Sequence, residues 1–229
     1  MLIVALTAFV GTHFLLSHAF RAPLVKALGA NGFLGAYSLV ALGTFAWVVQ
    51  SFGAAPVTPP MWTAGDGAWA FASFLMLVGS ILFAGSLIGN PALPGPPDRA
   101  NTAKPARGVF AITRHPMMWG FALWALVHLL VSPQPKVVAL TIAIGFLALV
   151  GSVGQDAKKA GLMGDGWRDW SSRTSFVPFG NQFAGKSSWS TAWPGLTVVL
   201  AGIVLWLLAT YVHPLLGGPV AGVWRWMGG

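Results

Sequence analysis

The sequence predicts an all-α, polytopic membrane protein, a bundle of about six transmembrane helices forming a single transmembrane domain over residues 1–229. Composition is the first reason: 55% of the residues are hydrophobic, 8% are charged, and the mean hydropathy is +0.71. Soluble domains carry roughly 25% charged residues, because water has to solvate their surface. A chain with a third of that fraction needs lipid to cover it, so we expect the bilayer to be its main partner.

The second reason is the length of the apolar runs, since a helix of about 20 apolar residues spans the hydrocarbon core of a bilayer. Windows of about 19 residues indicate six such segments. In chain order the predicted spans are Leu2–Phe20, Phe33–Phe52, Ala68–Ile88, Phe110–Val131, Val137–Val153 and Trp193–Val212. The first run has no charged segment before it and basic residues after it, which is typical of a retained span and not of a removable signal peptide.

The basic residues predict the orientation. Eleven of the 13 lie in the loops after the first span, before the fourth and between the fifth and sixth. Lys and Arg concentrate in cytoplasmic loops. We therefore expect a protein of the bacterial inner membrane, with both termini on the non-cytoplasmic side. Because the charges sit in short loops and form no basic stripe, the net charge of +8 does not indicate nucleic-acid binding.

Five histidines and no cysteine limit the chemistry. The absence of cysteine excludes disulfides, thiolate catalysis and Cys-ligated metals. Each histidine, either packed in the core or serving as a ligand, falls in a span or at its end: His13, His18, His115, His128 and His213. Neutral imidazole binds metals, and two imidazoles from facing helices can hold a haem iron. Zinc is a weaker interpretation, because the spans offer no carboxylate to complete its coordination.

Spacing restricts which histidines can share one iron. His115 and His128 are 13 residues apart, or about 20 Å along a helix. His13 and His18 are five apart, which turns their side chains about 140° from each other on an α-helix. A bis-histidine site would therefore take one ligand from each helix.

Two further segments contain charged residues that could take part in a site: one next to a proline at the start of a span, and one alternating with aromatic residues. Arg114-His115-Pro116 stands where the fourth span begins, so its side chains and the free N–H groups of that turn could bind an anion, or anchor the helix at the interface. The segment from Gly166 to Phe179 alternates aromatic and charged residues, as an interfacial helix does. Its Arg168 and Arg173 either close over a site beside Arg114 or bind anionic lipid headgroups.

These residues, together with their order, resemble the NnrU family of bacterial membrane proteins, which includes the 15-cis-ζ-carotene isomerases. The resemblance rests on motifs along almost the whole chain: Gly11-Thr12-His13, the Arg21 to Gly29 stretch, Ile112 to Gly120, His128, Arg173 to Phe179 and His213-Pro214-Leu215-Leu216. It implies a haem b between helices, with His13 and His128 matching the ligands. The isomerase pattern has a cysteine where this chain has Ala125, so a thiolate cannot take part in ligand exchange.

Depth in the membrane favours a different histidine pair. From the middle of each span, His13 lies about 3 Å toward the cytoplasm and His128 about 10 Å away from it, at 1.5 Å per residue. By depth alone His18 and His115 match better. Helix tilt of about 20° could absorb part of the difference.

The resemblance implies either isomerisation of a membrane-dissolved polyene or support of nitrite and nitric oxide reduction. An alternative is an S-adenosylmethionine-dependent membrane methyltransferase of the isoprenylcysteine or phospholipid type, which the second half also resembles through Arg114-His115-Pro116. That family has an acidic pair where this chain has Gln155-Asp156, and a tyrosine where it has Trp170. A third interpretation is a non-catalytic subunit of a membrane complex.

Overall fold

The computed structural model describes residues 1–93 and 102–227, and within these residues the chain is helical and has no strand. The helices are α1 (Leu2–Phe14), α2 (Arg21–Gly53), α3 (Asp66–Ser86), α4 (Val109–Ile112), α5 (Pro116–Val131), α6 (Pro135–Met163), α7 (Asp165–Arg173), α8 (Gly180–Phe183), α9 (Leu196–Val212) and α10 (Trp224–Met227). A π-helical segment, Leu15–Ala19, continues α1. The predicted all-α fold is confirmed.

Four segments are long and apolar enough to cross a membrane: α1 with its π segment, α2, α3 and α6. The other two predicted spans correspond to the shorter apolar helices α5, of 16 residues, and α9, of 17. A 16-residue helix rises about 24 Å, less than the roughly 30 Å of the hydrocarbon core. Exposed leucine and phenylalanine side chains lie on the outside of the long and the short apolar helices, for example Leu39 of α2, Phe74 of α3 and Leu208 of α9. Such a surface is suited to lipid.

Two predicted loops are helical in the structure. Residues 21–32, expected as a linker, are largely helical and belong to α2, which consists of two helical segments joined at Gly29, where the backbone is not helical and φ is 72°. Only glycine adopts that φ at little cost, so the chain can turn sharply there between the two segments. The fifth span was expected to end at Val153, but α6 continues to Met163. The wrong boundary followed from hydropathy, which falls where a helix leaves lipid even though the helix continues.

Small residues set the close packing of α3 against its neighbours. A Cβ on Gly120 of α5 would lie 3.0 Å from the carbonyl oxygen of Gly79, and one on Gly202 of α9 would lie 2.7 Å from the Cα of Ile81. Helices in membranes use glycine at such positions because the backbones can then approach closely. Helix α3 therefore packs between α5 and α9, while α1 packs against α2 and α6.

The bundle has two chemically different ends. The basic end carries Arg21, Arg114 and Lys158, and the terminal end carries Met1 and His213. The predicted cytoplasmic position of the basic end stays a prediction. Arg99, one of the basic residues used for it, lies outside the described residues.

Candidate functional site

A cavity of about 540 Å³, called here the large cavity, opens among α1, the π segment, α2, α5, α6 and residues 90–93. Its volume lies within the roughly 300–1,000 Å³ typical of cofactor and ligand sites. The lining is mostly apolar, contains no Asp or Glu among the described residues, and includes three histidines: His13, His18 and His115.

His13 presents a free nitrogen to this cavity. Its Nδ1 lies 2.6 Å from the carbonyl oxygen of Phe9, one turn earlier in α1. A carbonyl only accepts hydrogen bonds, so Nδ1 carries the proton and the neutral ring keeps a lone pair on Nε2. The rings of Phe9 and Tyr37 contact the imidazole at centroid distances of 4.4 and 5.6 Å. A histidine oriented by a backbone carbonyl in this way is typical of metal ligands.

His18 lines the same cavity as His13, although a regular α-helix would turn their side chains about 140° apart. The reason is the π segment: the N–H of Phe20 bonds to the carbonyl of Leu15, five residues earlier. The wider turn brings residues five apart to similar faces. Both histidines of this helix therefore line one cavity, and the expectation of one ligand per helix stays a prediction. His18 lies so close to α6 that a Cβ on Gly154 would be 2.7 Å from its Nε2.

His115 and Arg114 share one carboxylate. The Nε2–H of His115 donates to Oδ1 of Asp156 at 2.7 Å, and Nη2 of Arg114 lies 2.6 Å from Oδ2. The side chain of His115 is only 1% exposed. Pro116 is the first residue of α5, as expected. This cluster ties α5 to the extended part of α6. Each oxygen of Asp156 therefore already accepts a hydrogen bond within the protein, one from His115 and one from Arg114.

Arg173 lies away from the large cavity. It donates to the carbonyl oxygens of Thr102 and Lys104 and forms an ion pair with Asp169 at 2.6 Å. It ends α7, the predicted amphipathic helix, which buries the rings of Trp167 and Trp170. Two roles were predicted for this arginine: closing over a site or binding lipid headgroups. Arg173 is not among the described residues that line the large cavity, so its contacts do not support the first role there. Arg173 thereby holds the backbone of Thr102 and Lys104 against α7.

Cations surround the basic end of the large cavity. Arg21 and Lys158 line it, and neither forms an ion pair with a carboxylate within the described residues. The guanidinium of Arg21 lies 5.7 Å from the ring centre of Phe33. The ammonium of Lys159, also in the lining, donates to the carbonyl of Leu93 at 3.0 Å. These positive groups beside an apolar cavity suit a ligand with a large apolar body and anionic substituents.

Sequence reasoning missed Arg21 and Lys158 as site residues, because both were counted only for orientation. A usable signal existed. Arg21 follows the span that carries His13 and His18, and Lys158 follows the fifth span by little more than one helical turn.

His128 lies in a different place. It lines a pocket of about 110 Å³ near the terminal end, called here the small pocket, with His213. The structure does not bring His13 and His128, the pair that the resemblance implies, into one cavity, whereas His18 and His115, the pair matched by depth, line the large cavity together. Ala125, at the position of the isomerase cysteine, is buried and is not among the described residues that line either space; a Cβ on Gly145 would lie 3.4 Å from its methyl group.

The donors present fit a haem b better than a bare metal ion. The described residues contain no group of three or more His, Cys, Asp or Glu side chains that could hold a metal. Haem supplies four ligands of its own and needs one or two from the protein. Nε2 of His13 offers one, the apolar lining suits the macrocycle, and Arg21 and Lys158 suit its two propionates.

Comparison with known families agrees with this part of the sequence analysis. The family model described as "NnrU protein" matches residues 1–221, and the chain belongs to that family. No curated protein and no solved structure matches the chain.

Proposed function

We propose that this member of the NnrU family is a haem b-binding membrane protein that isomerises a polyene dissolved in the bilayer. The observation that supports it most is the large, mostly apolar cavity, which His13 lines with Nδ1 bonded to the backbone and which has cations at its basic end. The other activity implied by the resemblance, support of nitrite and nitric oxide reduction, stays a prediction without a specific contact in its favour.

In this proposal His13 would hold the haem iron through Nε2. The carbonyl of Phe9 fixes its tautomer and increases the basicity of Nε2, as carboxylate and carbonyl partners do for other metal-bound histidines. Arg21 and Lys158 bind the propionates by charge-assisted hydrogen bonds. Bound haem would supply a Lewis-acidic iron that lowers the double-bond order of a polyene.

The protein side chains account for the rest of the proposed site. The apolar residues of α2 and α6, such as Phe45 and Leu147, exclude water and offer dispersion contacts to a hydrocarbon chain. His115 itself lines the large cavity, and its cluster with Arg114 and Asp156 fixes the start of α5, which brings Met117, Met118 and Phe121 to the wall.

The proposal is tested by the visible spectrum of the detergent-purified chain, before and after dithionite. We expect a Soret band in the native protein, its loss in His13→Gly, and its return when imidazole is added to that variant. The matched control is His18→Ala, a histidine in the same lining, which should keep the band. A chain that shows no band after growth with added haem contradicts haem binding.

Activity needs a separate assay. The dithionite-reduced, haem-loaded protein in lipid vesicles should convert a 15-cis polyene to its trans isomer, and His13→Gly should not. If the loaded native protein leaves the polyene unchanged, the isomerase part of the proposal fails while the haem part stands.

A further inference from the structure

The small pocket holds two histidines that the proposed function does not use. It lies among α3, α5, α9 and the chain that follows α9, and His128, His213 and Met76 contribute to its lining. The two imidazole centroids are 5.8 Å apart. Two imidazoles that share one metal, each nitrogen about 2 Å from it, have ring centres roughly 5–6 Å apart.

Both rings present the nitrogen that a metal requires. Nδ1 of His128 donates to the carbonyl of Trp124 at 2.8 Å, and Nδ1 of His213 donates to the carbonyl of Pro219 at 2.7 Å. Since carbonyl oxygens cannot donate, the neutral rings carry their lone pairs on Nε2. Such backbone partners fix the tautomer and orientation of metal-bound histidines.

The surroundings hold both rings in place. The ring of Trp124 lies 4.2 Å from that of His128, centre to centre. Gly218 lies against His213 so closely that a Cβ there would fall on the imidazole ring. A glycine that leaves room for one ring indicates that the position of this ring matters.

An independent observation points to an occupant. The indole N–H of Trp206, which lines the small pocket, is buried and has no hydrogen-bond partner, and the residue as a whole is 9% exposed. Buried donors are rarely left unpaired, because the missing bond costs about 1–3 kcal/mol. A water molecule or anion that accompanies a bound ion would accept this hydrogen bond.

We propose that the small pocket binds one Cu(I) ion through Nε2 of His128 and Nε2 of His213, with the thioether of Met76 as a third ligand. Imidazole and thioether are ligands that suit Cu(I). Among the described residues, the lining contains no charged side chain, so a monovalent ion costs less to bury there than Zn²⁺. A pocket of about 110 Å³ is also too small for haem when compared with the usual 300 Å³ or more of cofactor sites.

Competition for Cu(I) tests the site. The purified full-length chain, with ascorbate present, should withdraw one equivalent of Cu(I) from its bicinchoninate complex. We expect His213→Ala and His128→Ala to bind Cu(I) at least about 10-fold more weakly, the lower range for disturbed metal sites. Met76→Leu should remove the sulfur signal from the copper X-ray absorption spectrum. His18→Ala, a histidine outside the pocket, is the matched control and should bind copper as the native protein does.

Folding is controlled in two ways. Each variant has to elute as the native protein does in size exclusion, and Gly218→Ala, which keeps every proposed ligand but displaces the ring of His213, should also weaken Cu(I) binding. A native chain that takes no copper from bicinchoninate overturns the proposal. So does unchanged affinity in His213→Ala and His128→Ala, or loss of the haem Soret band in His213→Ala, which would assign the pocket to haem.

Discussion

His13 in the large cavity and His128 in the small pocket share one local arrangement but have different neighbours. Each sits near the end of a helix and donates from Nδ1 to the carbonyl four residues earlier. His13 faces about 540 Å³ of apolar space with cations at one end, whereas His128 faces about 110 Å³, a second histidine and no charged side chain. The helix therefore decides the tautomer, and the packing around it decides what the free nitrogen can bind.

The largest expected effect is a loss of stability when Asp156, beside the large cavity, is replaced. Asp156→Asn removes the counter-charge of Arg114 and weakens the hydrogen bond from His115, two contacts with α6 that shape the wall of the large cavity. Breaking a fully buried pair costs about 3–5 kcal/mol. Since a fifth of this carboxylate is exposed, we expect a loss of about 2 kcal/mol, measured by unfolding in mixed detergent micelles.

An exposed ion pair serves as the control for the stability loss expected in Asp156→Asn. Asp165→Asn breaks the pair with Arg168, in which both side chains are largely exposed, and should not change stability measurably. Asp156→Asn should weaken haem retention but leave Cu(I) binding at the small pocket intact. Equal stability losses in the two variants would mean that the Arg114–His115–Asp156 cluster has no special structural role.

A smaller effect is expected at the cations of the large cavity. Arg21→Gln and Lys158→Gln each remove one proposed propionate partner, so haem should dissociate about two- to five-fold faster, corresponding to roughly 0.5–1 kcal/mol for a partly exposed charge. Haem transfer to apomyoglobin measures this rate. The control is Lys26→Gln, a cation of the same α2 helix that does not line the cavity.

The effect of salt on the haem dissociation rate gives a second test of these two cations. Added salt should increase the haem dissociation rate of the native protein more than that of either variant, because screening weakens exposed charge pairs. If Lys26→Gln has the same effect as Arg21→Gln, the cations act through net charge and not through contact with the ligand.

Much of the fold follows from local sequence signals. Hydropathy located all six apolar segments, and the Arg114-His115-Pro116 motif located the start of α5, because apolar length and proline at a first helical position are local properties. The extension of α6 past Val153 and the π segment around His18 were not predictable in the same way. Both depend on tertiary contacts, such as Asp156 with Arg114 and the ring of His18 beside Gly154.

The site was only partly predictable for the same reason. His13 was named from its motif, and its place in an apolar cavity agrees with a ligand role, which stays a proposal. The partner of His128 was not named, since His213, the first residue after α9, meets its ring only in the folded bundle, at a centroid distance of 5.8 Å. Residues far apart in sequence meet there without any spacing that reveals it.

The most direct measurement is the haem content of His13→Ala and His128→Ala, purified side by side and read from the Soret absorbance per protein. If the two histidines serve separate sites, His13→Ala loses its haem and His128→Ala keeps it at the native level. Loss of haem in His128→Ala, with the variant folded, would contradict the separation and return His128 to the haem iron.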